Sequence, residues 1–282
     1  MNKILKKWFK KEANNLNDIE FKNWKEYVRE KDIILDSLWV LPEREKTGVH
    51  TREYWGNFIP QIPHQAMVRF TKEKEWVLDT FVGSGTTLIK CKQLGRNGIG
   101  VELVPSIVTW ASKLVDQQEN PYNVFTKIIT GDSRSEDTKK EVVKILKQHG
   151  KDKVQLLIMH PPYHNIIKFS NDPRDLSNAS SIDEFLKMFR EVVDNYADLL
   201  EKKRFLVLVI GDTYSKGEWI PLGFLTMQQI LNTKQFILKS IVVKNIVGNR
   251  GKFNQEELWN YRALKGGFYI FRHEYVMFLQ KL

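Results

Sequence analysis

The sequence predicts an α/β fold: a mostly parallel sheet ending in an antiparallel terminal strand, with an N-terminal helical arm ahead of it. Three observations predict it. From residue 75 onward, short apolar runs ending in turn residues alternate with helical stretches. Those runs are continuously apolar, as expected of strands buried on both faces. The last two strand-like segments follow one another with no helical pattern between them, so they should pair antiparallel at the sheet edge.

The elements follow in order. In the arm, residues 1–37, Ile4, Leu5, Trp8 and Phe9 stand at helical spacing among lysines. Leu16, Ile19, Phe21, Trp24 and Tyr27 continue the pattern, which predicts one or two amphipathic helices packed on the body of the chain. Residues 38–63 hold Pro42, Gly48, Gly56, Pro60 and Pro63 and read as extended or looped. Strands are predicted at 76–81, 98–103, 125–131 and 154–159, with crossover helices at 86–95, 105–117 and 135–149. A helix at 182–202, a strand at 204–210, a helix at 221–232 and strands at 236–243 and 274–282 complete the body. Residues 38–282 thus form one domain, with a short insert at 245–272.

Of 282 residues, 42% are hydrophobic and 28% charged, which excludes a disordered or collagen-like chain. No apolar run approaches the ~20 residues that a membrane crossing needs. The start carries the positive flank of a secretion signal, but lysines interrupt its apolar stretch, so a cytoplasmic protein is expected. The one cysteine, Cys91, cannot form an internal disulfide or a thiolate zinc site, and no metal is expected. Lys and Arg number 44 against 34 acidic residues, a net charge of +10, which favours a polyanionic partner and a nucleic acid first.

Two segments carry the chemistry. The first, residues 77–87, reads Val-Leu-Asp-Thr-Phe-Val-Gly-Ser-Gly-Thr-Thr, a strand, a glycine turn and a helix start. Glycines there let a ligand approach the backbone, and the free N–H groups of a helix start favour an anionic group. Asp79, Phe81, Gly83, Ser84, Gly85 and Thr86 are therefore candidate binding residues. Glu102 ends the next strand, where an acid can accept both hydroxyls of a ribose, and Asp132 and Ser133 end the third, where a carboxylate can receive an adenine amine. Each acid alone would read as a helix cap or a solvated turn; together, at three consecutive strand ends, they outline a nucleoside pocket.

The second segment ends the fourth strand in His160-Pro161-Pro162-Tyr163, followed by His164. Two prolines stiffen the exit from a buried strand and set an aromatic ring over the same edge, where it can clamp a flat base.

At these residues the sequence resembles the S-adenosylmethionine-dependent DNA methyltransferases that modify exocyclic amino groups, giving N6-methyladenine or N4-methylcytosine. The resemblance covers roughly residues 38–282. Residues 79–85 resemble the family's cofactor loop, usually Asp-Pro-Phe-x-Gly-x-Gly, Glu102 its ribose acid and Asp132 the residue beside the cofactor's adenine. Residues 58–64, with Phe58 and Pro60, resemble the segment that closes over the methionine end of the cofactor. Residues 160–163 match the catalytic Asp/Asn/Ser-Pro-Pro-Tyr turn except at His160. Residues 211–214, with Asp212 and Tyr214, look like a further family element lining the base pocket. The resemblance implies a Rossmann-like, seven-stranded methyltransferase sheet in the non-permuted order, S-adenosylmethionine as cofactor and DNA as partner, in a restriction-modification or host DNA-modification role.

His160 departs from the pattern. Neutral imidazole has one acceptor nitrogen and imidazolium has none, so activity should fall on acidification. An exocyclic amine has its lone pair delocalised into the ring. Accepting its hydrogens, at His160 and the Pro161 carbonyl, draws the nitrogen toward sp³ geometry without a metal or a covalent intermediate. Cys91 lies within the helix after the glycine loop and reads as packing, which sets cytosine-C5 chemistry aside. The target base must be flipped out of the duplex and stacked, with Tyr163 the expected platform.

Three segments are candidates for holding DNA: the polar stretch 165–181; 245–272, where Arg250, Lys252, Trp259, Tyr261 and Arg262 mix charge with aromatic rings; and the lysine-rich arm, which reads first as packing on its own body. The 245–272 segment reads equally as ordinary solvated surface. The short recognition insert points to a short site, a homodimer, or a specificity or endonuclease partner. Three alternatives stay open: methylation of an RNA base amine, methylation of a protein glutamine, and a catalytically silent nucleic-acid-binding subunit. Between the two products adenine is slightly favoured.

Overall fold

A computed structural model describes residues 16–18, 33–51, 53–246 and 256–282. Strand β1 is Leu38–Trp39, β2 Trp76–Asp79, β3 Asn97–Glu102, β4 Thr126–Thr130, β5 Val154–Met159 and β6 Leu200–Ile210. A small hairpin, β7 Thr213–Ser215 and β8 Glu218–Ile220, stands apart, followed by β9 Phe236–Asn245 and β10 His273–Lys281. The helices are α1 Gln61–Phe70, α2 Thr86–Leu94, α3 Pro105–Gln117, α4 Glu136–Gln148, α5 Ile182–Tyr196, α6 Leu222–Leu231 and α7 Glu256–Gly266.

The predicted Rossmann-like sheet forms, with β10 antiparallel to both of its neighbours. Among the described residues it has eight strands, not seven, in the order β1-β9-β10-β6-β5-β2-β3-β4. The additional strand is β1, two residues paired with Val243 and Lys244 of β9, too short to show any periodicity. It covers the edge that the final ribbon was expected to form.

Strand residues alternate between two cores. Val77, Leu156, Ile158, Val207 and Val209 face α1, α2 and α3, while Leu78, Leu157, Met159, Leu206 and Leu208 face α4, α5 and α6. Helix α5 shows why such elements form: Ser181 caps its first turn by accepting from the Glu184 N–H, and Phe185, Phe189, Val192, Val193 and Tyr196 make one buried stripe. Each such side chain contributes roughly 1.5–3 kcal/mol of burial.

Two other expectations are corrected. Residues 61–70 form a helix whose first three positions fall in the 38–63 stretch expected to be extended or looped. Pro60 caps it and Pro63 lies in its first turn, where N–H groups have no helical partner to lose. A helix, α7, also stands between the last two strands, where none was expected. Its apolar residues make no stripe, since Leu258, Tyr261 and Leu264 are all exposed, so the helical period is missing from the sequence.

The helices expected across 3–31 lie outside the described residues, except 16–18. There Asn17 is buried and donates to the Arg69 carbonyl, and Asp18 pairs with Arg96 at 2.7 Å, so this part of the arm does pack on the body.

Topology fixes where a ligand can sit. From β2 the chain winds outward through β3 and β4, then returns to place β5 on the other side of β2. The carboxyl ends of β2 and β5 therefore flank the point where winding reverses, the usual crevice of an open α/β sheet.

Candidate active site

A cavity of about 580 Å³ opens at that reversal point. The loop after β2 makes one wall. Asp79 is buried; its Oδ1 accepts from the Phe81 N–H at 2.9 Å and its Oδ2 from the Thr87 hydroxyl. Burial raises its carboxyl to about 6 against those two bonds. Both oxygens serve the loop, so Asp79 shapes the wall without lining it. Gly85 likewise stays off the wall: it starts α2 at φ 83°, and a Cβ there would meet Val115 Cγ2 at 2.6 Å. Phe81, Gly83, Ser84 and Thr86 do line the cavity.

Glu102 and Asp132 reach it from the ends of β3 and β4, with Ser133 beside them. Glu102 Oε1 accepts from the Val104 N–H at 2.9 Å, and burial, the largest influence, raises its carboxyl. Asp132 is paired with Arg134 at 3.0 Å. Ser133 donates to the Thr80 carbonyl at 2.6 Å, tying the third strand end to the first.

The segment before α1 closes over these groups. Arg44 donates to the carbonyls of Phe58 at 2.9 Å and Thr51 at 3.2 Å, and Asn57 donates to the Ser84 hydroxyl at 3.2 Å. Tyr54 stacks between Trp110 and Phe169, with ring centroids 6.2 and 5.9 Å away. Phe58 lines the cavity, and its ring centroid lies 4.9 Å from that of His160. Pro60 stays off the wall, capping α1.

His160, Pro161, Pro162 and Tyr163 line the opposite wall. His160 Nε2 lies 3.3 Å from Tyr163 Oη, and Tyr163 donates to Glu274 Oε2 at 2.8 Å. Lys244 donates to Glu274 Oε1 at 2.6 Å. Burial, then Lys244, lower the imidazole to about 4, against an opposing pull from Glu274. Burial is also the largest influence on Tyr163, held well above its ordinary range with Glu274 acting in the same direction. Glu274 is held low: burial opposes ionisation, but Lys244, His160 and Tyr163 together outweigh it.

Other candidate residues have other work. His164 is buried, with Nε2 3.0 Å from the Ala179 carbonyl. Asp212 accepts from the Gly223 N–H, Trp219 and Tyr275, and Tyr214 stacks on Phe268 with centroids 4.2 Å apart. Neither reaches the cavity. Trp259, Tyr261 and Arg262 lie on α7 away from it, Trp259 and Arg262 paired ring to cation at 5.4 Å. Arg250 and Lys252 lie outside the described residues. The 165–181 stretch, by contrast, supplies Phe169, Arg174 and Asp175 to the wall.

Sequence reasoning missed Arg44, Tyr54, Asn57, Lys244 and Glu274. The last two left no signal of their own, because β9 and β10 also carry Lys239 and Lys281, and only the register makes Lys244 and Glu274 cross-strand partners. Among the described residues no group of three or more His, Cys, Asp or Glu is placed to hold a metal ion, and no helix is long and apolar enough to cross a membrane.

The fold is thus a doubly wound α/β sheet with a glycine loop, two strand-end acids and a Pro-Pro-Tyr turn around one cavity. Residues 3–113 match the N6/N4 methyltransferase family model, described as DNA methylase. The chain is 36% identical over 91 residues to Type II methyltransferase M.MjaII of Methanocaldococcus jannaschii, covering 30% of this chain and 16% of that protein. It is 37% identical over 79 residues to Type II methyltransferase M2.DpnII of Streptococcus pneumoniae, covering 26% and 30%. With Type II methyltransferase M.XycI of Xanthomonas campestris it shares 30% identity over 84 residues, covering 30% and 27%. The likeness to N6-adenine/N4-cytosine DNA methylases lies in segments that make up less than half of the chain. The matched segments thus span less than a third of these relatives' own lengths. Among solved structures it is similar to TrmN from Thermus thermophilus, at 14% identity and a TM-score of 0.49 over 81% of this chain and 50% of that one.

Proposed function

We propose that this protein transfers a methyl group from S-adenosylmethionine to the exocyclic amine of a flipped DNA base, N6 of adenine slightly favoured over N4 of cytosine, in a restriction-modification or host-modification role. The observation that carries this reading is a single cavity lined both by the glycine loop with Glu102 and by the turn from His160 to Tyr163.

The residues present fit the cofactor. Glu102 presents a half-buried carboxylate at the end of β3 for a ribose, Gly83 lines the cavity beside it, and Asp132 and Ser133 stand where an adenine amine would be received. When bound, S-adenosylmethionine supplies an electrophilic methyl group. Phe58, held by the Arg44 clasp, covers the far side and excludes water. At the other wall His160 accepts a hydrogen of the target amine, with the Pro161 carbonyl beside it, and so draws the nitrogen lone pair out of the ring. Tyr163 and Phe58 offer aromatic surface to an extruded base.

The net charge of +10 supports a polyanionic substrate. The 165–181 stretch at the cavity mouth is the favoured recognition segment, with α7 second. A partner, whether a second copy, a specificity subunit or an endonuclease, and a cytoplasmic location belong to the same reading.

The test is incubation of the purified chain with methyl-labelled S-adenosylmethionine and separate pools of DNA, tRNA and protein. Label is expected in DNA, on an exocyclic amine. Label in tRNA or protein alone would move the substrate to one of the rival classes, and cofactor binding without transfer to any pool would favour a silent subunit.

A further inference from the structure

Lys244 and Glu274 face one another in register across β9 and β10, both buried, with Lys244 Nζ 2.6 Å from Glu274 Oε1. A buried ammonium at that distance keeps the carboxylate ionised. An ionised carboxylate accepts and does not donate. The single phenolic hydrogen of Tyr163 therefore goes to Glu274 Oε2, 2.8 Å away. What the Tyr163 oxygen has left for its other neighbours is lone pairs. His160 Nε2, 3.3 Å from that oxygen, makes a hydrogen bond only if it carries the hydrogen. Neutral imidazole carries one N–H, so Nδ1 becomes the ring's acceptor.

We propose that Lys244, Glu274 and Tyr163 are positioning residues that hold His160 as the Nε2–H tautomer, so that Nδ1 is the atom that accepts the hydrogen of the target amine. The inference rests on the reading above, in which an amine enters beside His160. It also accounts for how a histidine serves where the family usually has Asp, Asn or Ser. An amide or carboxylate always presents an oxygen acceptor; a neutral imidazole has one acceptor nitrogen, which faces the amine in only one of its two tautomers, and the fold supplies the chain of partners that selects it. The charged and titratable groups facing the ring are Glu274 from β10, Lys244 from β9 and Tyr163 from its own turn, while Phe58 packs on it without charge.

The test is nitrogen-15 magnetic resonance of the full chain with labelled histidine near neutral pH. The His160 ring is assigned by its loss in His160→Asn and independently by its contact with the Tyr163 ring. The expected spectrum shows a pyrrole-type Nε2 and a pyridine-type Nδ1 in the wild type. Tyr163→Phe should lose the single-tautomer pattern, and Glu274→Gln should weaken it. A wild-type Nδ1–H pattern overturns the proposal whether or not the variants fold, and so does an unchanged pattern in Tyr163→Phe. The spectrum needs neither cofactor nor DNA. An Nε2–H chain that transfers no methyl leaves the tautomer standing and removes the functional reading. An Nδ1–H chain that does transfer methyl does the reverse.

Discussion

On the β2 to β4 side of the cavity each carboxylate is held by its own neighbourhood in sequence. Asp79 uses Phe81 and Thr87, Glu102 uses Val104, and Asp132 uses Arg134. On the β5 to β10 side the partners are distant: Tyr163 and Glu274 are 111 residues apart, and Lys244 and Glu274 are 30 apart on neighbouring strands. A carboxylate with local partners keeps its geometry wherever the loop forms. A charge chain assembled across strands exists only once the sheet has closed, and it depends on every member staying paired.

The largest expected difference between the two sides is in stability. Glu274→Leu strands the Lys244 ammonium in a buried site and should cost about 3–5 kcal/mol by chemical denaturation, whereas Asp132→Asn should cost about 1 kcal/mol. Adding Lys244→Met to Glu274→Leu should recover most of the loss. A single-variant cost no larger than that of Asp132→Asn would erase the contrast.

Next comes pH, where the two sides carry opposite signs. Burial pushes the Asp79 carboxyl up to about 6 in the fold from its ordinary 3.8, so the native state binds more protons in that window and stability is lost as pH rises through it. His160 titrates at about 4 against 6.5, so the native state binds fewer protons and stability is lost as pH falls from 6.5 toward 4. Each displacement is worth on the order of 3 kcal/mol. Relative to wild type, Asp79→Asn should gain stability as pH rises from 4 to 6 and His160→Asn should lose it; equal slopes for the two variants would refute the assignment. For the same reason the acid limb of activity should lie near pH 4, well below the ordinary histidine range.

The smallest effect is on the cofactor side. Glu102→Gln removes one charged acceptor and should weaken S-adenosylmethionine binding about tenfold or more by calorimetry. Glu274→Gln should leave that affinity within about twofold, since the two sites share no partner. Comparable losses in both would mean that the walls are not separate.

The same contrast decides what could be read before folding. The glycine loop, Glu102, Asp132 and the Pro-Pro-Tyr turn were legible because strand ends and turns are local, and five of the parallel strands announced themselves as apolar runs. Asp79 and Gly85 were legible as motif members, but their work is inside the loop and not on the cavity wall. His164 and Asp212 share motifs with site residues, yet their polar atoms are consumed by Ala179 and by Gly223, Trp219 and Tyr275. Lys244 and Glu274 were missed because only the register of β9 against β10 brings them together. Tyr54 and Arg44 were missed because they lie in a coil segment whose course is set by what it packs on. Helix α1 was hidden by a proline that a first turn tolerates, and α7 by the lack of an apolar stripe.

A crystal structure of the chain with S-adenosylhomocysteine tests most directly whether the two walls serve one reaction. The expected result is the ribose hydroxyls on Glu102, with the sulfur facing the turn formed by His160, Pro161, Pro162 and Tyr163. Density for the ligand elsewhere, or a sulfur turned away from that corner, would contradict the account.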